Sequence, residues 1–390
     1  MKALVISVGT GTSAEKRATK SVAGAIAYSI KHHNPDFVFF VVSRQSGEYT
    51  LPMVLEAVGF SEEEYMVFEV EDPDNVQSIY ENLNGHFNTI RSKFDSVVVD
   101  YTSGTKAMTA ALAMLATLYD VEELSYIAGK REVGIVQPGT EKIVAVRPYF
   151  ATAERRMEMA VQLFNRSQFE AAISVLMQIC RSTSDPAVLN RLKPLLLLAK
   201  AYALWDRFTH RNAFRYLLRL KISSLNQNKR FLGLFLESVK KGAESEPYLI
   251  ADLLNNAERR AKDEHKYDDA VARLYRTVEL IAQYLLRRKC HVDPSDVDVR
   301  EIPHELMSKW GISLEAKRVR LGLEMDYQLL EIKGYEIGRK YAHDDKLKDL
   351  LSKRNMSILA HGLQSVDKQT YTQLHNKVVE YAKMAVPNLK

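Results

Sequence analysis

The sequence predicts an α/β domain built on a doubly wound parallel sheet, followed by all-α structure to the end of the chain. Three observations carry this expectation. Over residues 1–150 short apolar runs alternate with longer stretches of helical spacing, the pattern of parallel strands joined by crossover helices. Strand signals stop after Arg147-Pro148. Beyond that point glycines are few and the apolar residues keep the helical period.

Strands are predicted over 3–8, 37–43, 65–70, 96–100 and 124–128, with helices over 15–33, 49–58, 75–93 and 106–119. The segments 134–137 and 143–147 flank Pro-Gly-Thr and predict a hairpin at the end of the sheet. Residues 151–247 form a helical connector, in which 157–180 and 191–204 look like paired helices of a repeat type, without a second copy at a fixed period. Gly, Ser, Glu and Pro cluster over 242–247 and mark a boundary. Residues 248–390 are a separate helical domain, whose most loop-like insert is 292–303.

The 390 residues are 46% hydrophobic, enough for more than one ordinary core. Cys180 and Cys290 match neither a disulfide framework nor a zinc spacing, which fits a reducing compartment, with the cytoplasm as the expected location. The N-terminus MKALVISVGTG runs from a strand straight into a glycine turn, and no apolar stretch reaches the roughly 18 residues of a membrane helix. The chain is expected to be neither secreted nor membrane-spanning. A net charge of +5 is modest for this length, so a polyanion partner must be argued from local sites.

The first strand ends in Val8-Gly9-Thr10-Gly11-Thr12, where glycine lets backbone amides approach a phosphate ahead of a helix. The same turn also fits a purely steric need. It lacks the third glycine of a dinucleotide fingerprint and the Gly-Lys-Ser/Thr of a P-loop, so neither NAD binding nor ATP hydrolysis is supported. The fourth strand runs into Tyr101-Thr102-Ser103-Gly104-Thr105-Lys106 and a helix. Hydroxyls, a glycine, helix N-terminal amides and a lysine thus converge at the carboxyl end of a central strand, where open α/β sheets bind ligands. Thr102 and Ser103 also read as plain helix caps beside a solvated Lys106. Arg44 after the second strand, and Lys130-Arg131 after the fifth, bring cations to the same sheet edge.

D-Y-T-S-G-T-K-x-M at 100–108, together with the early G-T-G-T, resembles the CARF (CRISPR-associated Rossmann fold) sensor domain over the whole of residues 1–150. The resemblance implies a Rossmann-like domain that binds a cyclic oligoadenylate, a cyclic tetra- or hexa-adenylate, across a two-fold dimer interface. By motif position, Gly9, Thr10 and Gly11 line the ring, Ser103, Gly104, Thr105 and Lys106 hold phosphates and ribose, and Arg44 is a neighbour.

In the last domain Arg354 and His361 stand seven positions apart. At about 100° per residue, seven steps return to nearly the same helix face, so both side chains can address one phosphate or a dimer partner, while Met356, Leu359 and Leu363 face the core. The string R-N-x-S-x-L-A-H-G at 354–362 resembles the R-x(4–6)-H signature of HEPN ribonucleases, in which Asn355 belongs to the pattern, and the helix 268–279 resembles the one HEPN folds pair with it. Together the two resemblances span nearly the whole chain and point to the ancillary ribonucleases of type III CRISPR systems. They imply a homodimer that cleaves single-stranded RNA when cyclic oligoadenylate is bound, with no catalytic cofactor and no DNA or membrane partner.

The chemistry that fits uses the RNA 2′-hydroxyl as nucleophile. The imidazole of His361 exchanges a proton at neutral pH, the permanently charged fork of Arg354 suits a phosphate oxyanion, and Asn355 orients RNA or the catalytic helix. No metal site is expected, since the acidic pair Asp344-Asp345 lacks a carboxylate and histidine cluster at ligand spacing. Two alternatives remain. A metal-dependent nuclease could use Glu331-Ile332-Lys333, formally E-x-K, but that motif needs a strand and 329–341 reads helical. A non-catalytic ligand-responsive interaction protein would have lost Arg354, Asn355 or His361, and all three are present.

Overall fold

A computed structural model of the chain describes residues 1–11, 16–132, 135–136, 139–183, 185–313 and 315–388. Two compact units emerge: Met1–Glu158 with Gln178–Asn190, and Met159–Met177 with Arg191–Lys390.

The first unit runs β1 (Lys2–Val8), α1 (Lys16–His33), β2 (Phe37–Ser43), α2 (Arg44–Tyr49), α3 (Leu51–Val58), β3 (Tyr65–Val70), α4 (Val76–Lys93), β4 (Ser96–Asp100), α5 (Lys106–Leu118), β5 (Glu123–Ala128), β6 (Arg131–Glu132), β7 (Ile135–Val136) and β8 (Lys142–Val146). Six strands form one sheet in the order β3-β2-β1-β4-β5-β8, parallel except for β8. Alternation along β1 divides its side chains between two layers. Ala3 and Val5 pack with α4 and α5 through Leu83, Ala111 and Leu115, whereas Leu4, Ile6 and Val8 pack with α1 and α3 through Ala23, Ile26 and Val54. The five main strands fall where the apolar runs put them.

The expected hairpin is replaced by two other pairings. Gly134 and Gln137 lie outside the described residues, but Ile135–Val136 pairs with Arg131–Glu132, and β8 pairs antiparallel with β5. The edge of β5 offers β8 a ladder of five residue pairs, from Leu124↔Val146 to Ala128↔Lys142, against two pairs in the β6-β7 ribbon. The helix expected over 49–58 is preceded by a separate α2, which Ser43 starts with a capping box onto Ser46.

Helices then follow as α6 (Tyr149–Asn165), α7 (Phe169–Ser182), α8 (Pro186–Asp206), α9 (His210–Leu218), α10 (Asn226–Lys241), α11 (Glu246–Lys262) and α12 (Tyr267–Cys290). The stretch 157–180, read as one helix of a pair, is broken after Asn165, where Ser167 takes φ 58° in the left-handed region. The insert after α12 carries a short antiparallel ribbon, β9 (Val297–Asp298) with β10 (Arg318–Val319), on either side of α13 (His304–Trp310). This last part is therefore not wholly helical. It ends in α14 (Leu323–Ile332), α15 (Glu336–Ala342), α16 (Asp345–Asn355) and α17 (Lys368–Ala385). The helix expected over 329–341 is interrupted at Gly334, φ +83°, so Glu331 ends one helix and Lys333 lies just beyond it.

α12 is the centre of the second unit. Val271, Leu274, Val278, Ile281 and Leu286 are fully buried on it, and their core takes in Leu254 and Ala257 of α11, Tyr327 and Leu330 of α14, Leu350 of α16, and Leu374, Val378 and Tyr381 of α17. No helix among the described residues is long and apolar enough to cross a membrane.

Asp326 of α14 is fully buried in this unit, and neither carboxylate oxygen has a hydrogen-bond partner. Burial, reinforced by Glu279, pushes its carboxyl up to about 8, against the opposing pull of Arg287 and Arg276. A folded value above the unfolded one means that the folded state keeps a proton the unfolded chain releases. Stability therefore falls as pH rises from about 4 to about 8. Asp326→Asn, which cannot ionise, should melt at a higher temperature than the parent at about pH 8, and the gap should close at about pH 4–5. Calorimetric melting across this range checks it; a gap independent of pH would contradict the assignment.

Candidate functional site

In the first unit the ends of β1 and β4 lie side by side, with Ile6 opposite Asp100, so the loops after them meet at one end of the sheet. They are clasped together. The Ser7 hydroxyl donates to the Ser103 carbonyl, and the Ser103 hydroxyl donates to the Ser7 carbonyl at 2.7 Å and accepts the Gly9 amide at 3.1 Å. A Cβ on Gly9 would stand 2.5 Å from the Gly104 nitrogen, so only glycine permits this approach. Gly104 itself takes φ +96°.

The crevice above this clasp has a volume of about 740 Å³, and Gly9, Thr10, Gly11, Ser103, Gly104, Thr105 and Lys106 all line it. Two of the hydroxyls that line it, however, are engaged in holding the fold. Ser103 bridges the two loops, and Thr105 caps α5 by accepting the Met108 amide at 3.1 Å while donating to the Pro73 carbonyl. Among the described residues, what remains for an anion is the Thr10 and Ser21 hydroxyls, the start of α5, where the Lys106 and Ala107 amides have no intrahelical acceptor, and the exposed Lys106 ammonium, which has no ion pair.

Arg44 does not line the crevice: its side chain is 86% exposed and pairs with Glu48 at 3.4 Å. Ser43 and Gln45 reach the crevice from that loop instead, and Asp74 adds a carboxylate. Lys130 is exposed and does not line it either; the Arg131 side chain and Thr12 lie outside the described residues. Of the positive or hydroxyl-rich groups expected from three strand ends, the described residues bring Lys106 and the hydroxyls of Ser43, Thr102, Ser103 and Thr105 to the crevice, and not Arg44 or Lys130.

Beneath the crevice Asp100 is fully buried; its carboxylate accepts the Ser29 hydroxyl at 2.5 Å, the Thr102 amide at 2.8 Å and the Ser125 hydroxyl at 3.3 Å. Burial raises this carboxyl above the usual range while those hydrogen bonds oppose the shift. His33, bonded to Ser125 at 3.0 Å, is pushed down to about 4 by burial and then by Lys2 and His32. Asp100 was legible only as the first letter of the motif; its part is to hold the loop that carries Ser103 to Lys106.

In the second unit α16 ends at Asn355, and Arg354 and His361 do not share a helix. The chain turns back on itself. Ser357 donates its amide to the Arg354 carbonyl at 3.0 Å, His361 to Asn355 at 3.1 Å and Gln364 to Met356 at 3.1 Å. A Cβ on Gly362 would stand 2.0 Å from the Met356 carbonyl oxygen, so the glycine makes the return possible. Met356, Leu359 and Leu363, expected in the core, are 49%, 47% and 89% exposed because the turn carries them off the helix face.

The turn nonetheless brings the His361 backbone back to Asn355, the neighbour of Arg354. The Arg354 guanidinium lies over the ring of Tyr275, 4.3 Å from its centroid, and donates from Nη1 to the Asn355 Oδ1 at 3.1 Å. Its Nε is buried without an acceptor. The His361 side chain is exposed. Asn355 and Tyr275 also line a cleft of about 480 Å³ with Tyr341, Lys348 and Ser352. Tyr275 lies on the helix singled out from sequence, but nothing in the pattern marked it as part of the site. Among the described residues no group of three or more His, Cys, Asp or Glu is placed to hold a metal ion.

A family model of the Csm6 6H domain matches residues 150–244, and one of the Csm6 HEPN domain matches residues 238–385. No curated protein matches the chain. Among solved structures the chain is similar to Enterococcus italicus Csm6 bound to cyclic hexa-2'-fluoro-hexa-dAMP, with a TM-score of 0.64 over 100% of this chain and 95% of that one. The two are 14% identical, so the likeness is one of fold. The two family models adjoin, together match more than half of the sequence, and agree with that fold: the chain belongs to the Csm6 family, the HEPN ribonucleases ancillary to type III CRISPR systems.

Proposed function

We propose that the chain is a metal-independent endoribonuclease of antiviral defence, acting in the cytoplasm on single-stranded RNA and switched on by a cyclic oligoadenylate bound at the crevice of its first unit. The observation that carries this reading is the turn at the end of α16, in which Asn355 holds the Arg354 guanidinium by its side chain and the His361 amide by its carbonyl, on a chain whose HEPN part is matched by family. In the cleavage the 2′-oxygen of the RNA attacks the adjacent phosphorus and displaces the 5′-oxygen, leaving a cyclic phosphate and a free 5′-hydroxyl. One proton leaves the attacking hydroxyl and one reaches the departing oxygen; the exposed imidazole of His361 is the group that moves it. The Arg354 guanidinium stabilises the charge building on the phosphate, and Asn355 holds that guanidinium by an edge.

The activator reading rests on the Gly9-Gly104 clasp, the open start of α5 and Lys106, and on the ligand named in the similar Enterococcus structure. Among the described residues the crevice offers backbone amides, the Thr10 hydroxyl and the Lys106 ammonium to the phosphates. A metal nuclease built on Glu331-Ile332-Lys333 is disfavoured by its position across a helix end. RNA cleavage with cyclic tetra- and hexa-adenylate, with and without EDTA, tests the whole proposal.

A homodimer follows from the chemistry, since each chain brings a single Arg354 and His361. The exposed Met356, Ile358, Leu359 and Leu363 around His361 support it, being apolar surface of the kind a second copy covers. Sedimentation should show a dimer, and specific activity should fall on dilution below its dissociation constant; a fully active monomer would sink this part.

Lys106→Ala should leave the fold intact and raise the half-maximal activator concentration about 10- to 150-fold, the worth of a charged phosphate contact of about 1.5–3 kcal/mol. An unchanged activation curve would remove Lys106 from the ligand site.

His361→Ala should lower RNA cleavage by about 10²- to 10⁴-fold while calorimetric binding of cyclic hexa-adenylate stays near that of the parent. The imidazole is exposed, so thermal stability should not move. Near-normal cleavage by the folded variant, or cleavage that stops on chelation, would overturn the mechanism.

A further inference from the structure

Arg354 has no carboxylate partner among the described residues. Most partly buried arginines find one, and here its place is taken by the face of Tyr275. The guanidinium sits 4.3 Å from the ring centroid, well inside cation–π range, with one edge nitrogen on Asn355 and its Nε buried without an acceptor.

We propose that Tyr275 is a positioning residue for the ribonuclease reaction: its ring is the platform that fixes the plane of the Arg354 guanidinium so that the remaining edge donors meet the phosphate. The inference rests on the HEPN reading above. A carboxylate in that place would hold the arginine equally well, but it would take up the edge donors and repel an incoming phosphate. An aromatic face holds the cation from behind and leaves the edge open.

The platform is itself rigid. Tyr275 lies within the long helix α12, next to the fully buried Leu274, in the core of its unit. The same helix holds the far end of the turn, where the Asp268 carboxylate accepts the Val366 amide at 3.2 and 3.3 Å. Burial, with Glu279 nearby, keeps the phenol above its ordinary range against the pull of Arg354, so the ring faces the cation as a neutral phenol. Its hydroxyl makes no hydrogen bond among the described residues, so the ring alone is the working part, and phenylalanine should serve in its place.

The test measures kcat and KM for RNA cleavage by the full-length protein with cyclic tetra- or hexa-adenylate, in Tyr275→Phe, Tyr275→Leu, Arg354→Ala and the Leu/Ala double variant. Tyr275→Phe should stay within about twofold of the parent, whereas Tyr275→Leu should lose roughly 10- to 100-fold in kcat with little change in KM, the cost of a misplaced catalytic group. In the Arg354→Ala background the leucine should add no further loss. If Tyr275→Leu does not fold, Tyr275→Met, which also lacks an aromatic face, is read in the same way. Full kcat in the folded leucine or methionine variant, or a loss that adds to that of Arg354→Ala, would overturn the platform. Full activity of Arg354→Ala would instead sink the HEPN reading on which it stands.

Discussion

In the second unit α12 is buried on nearly every side, and that constraint places the other parts. A helix of 24 residues with Ala270, Val271, Leu274, Val278, Ile281 and Leu286 out of solvent must be covered by neighbours all round, and α11, α14, α16 and α17 supply them. Polar groups on such a helix are tolerated only where they find partners. Arg273 reaches Asn256 of α11 and Asp269 on its own helix, and Asn256 in turn donates to Asp206 at the end of α8. Tyr275 meets Arg354, and Asp268 meets the Val366 amide. The groups presented to the candidate site are therefore carried by a helix buried in the core of the unit.

The first unit reaches the same end by different means. Its crevice is shaped by backbone, through the contact of Gly9 with Gly104 and the reciprocal hydrogen bonds of Ser7 and Ser103. The Ser103 hydroxyl, which looks like a ligand donor, is occupied with this task, and Thr105 is occupied at the cap of α5. Among the described residues the open start of α5 and Lys106 face the crevice without such a task.

The contrast explains what the sequence could and could not disclose. Strands read correctly because a parallel strand covered on both faces is written as a short continuous apolar run, as in β1, whose alternate side chains enter two different buried layers. The glycine turn and the Thr105-Lys106 helix start were visible because both depend on local backbone preferences. Long-range partners were not. That Ser103 belongs to Ser7 and that β8 chooses β5 over β7 are outcomes of competition between sites separated in sequence. Tyr275 was hidden for the same reason, since its role exists only once α12 and α16 have packed.

The misread helix around Arg354 is instructive in the other direction. Seven residues of unbroken α-helix would set Arg354 and His361 about 10.5 Å apart along the axis, on a shared face. The observed chain leaves the helix at Asn355 and returns, so that the His361 amide is hydrogen-bonded to the Asn355 carbonyl. The spacing that fits a helical face is thus used by a turn. Gly362 is what allows it, because any side chain there would overlap the Met356 carbonyl. The same return exposes Ile358, Leu359 and Leu363. A short turn therefore does two things that a helix would have kept apart, returning the His361 backbone to Asn355 and leaving an apolar surface exposed on the same segment.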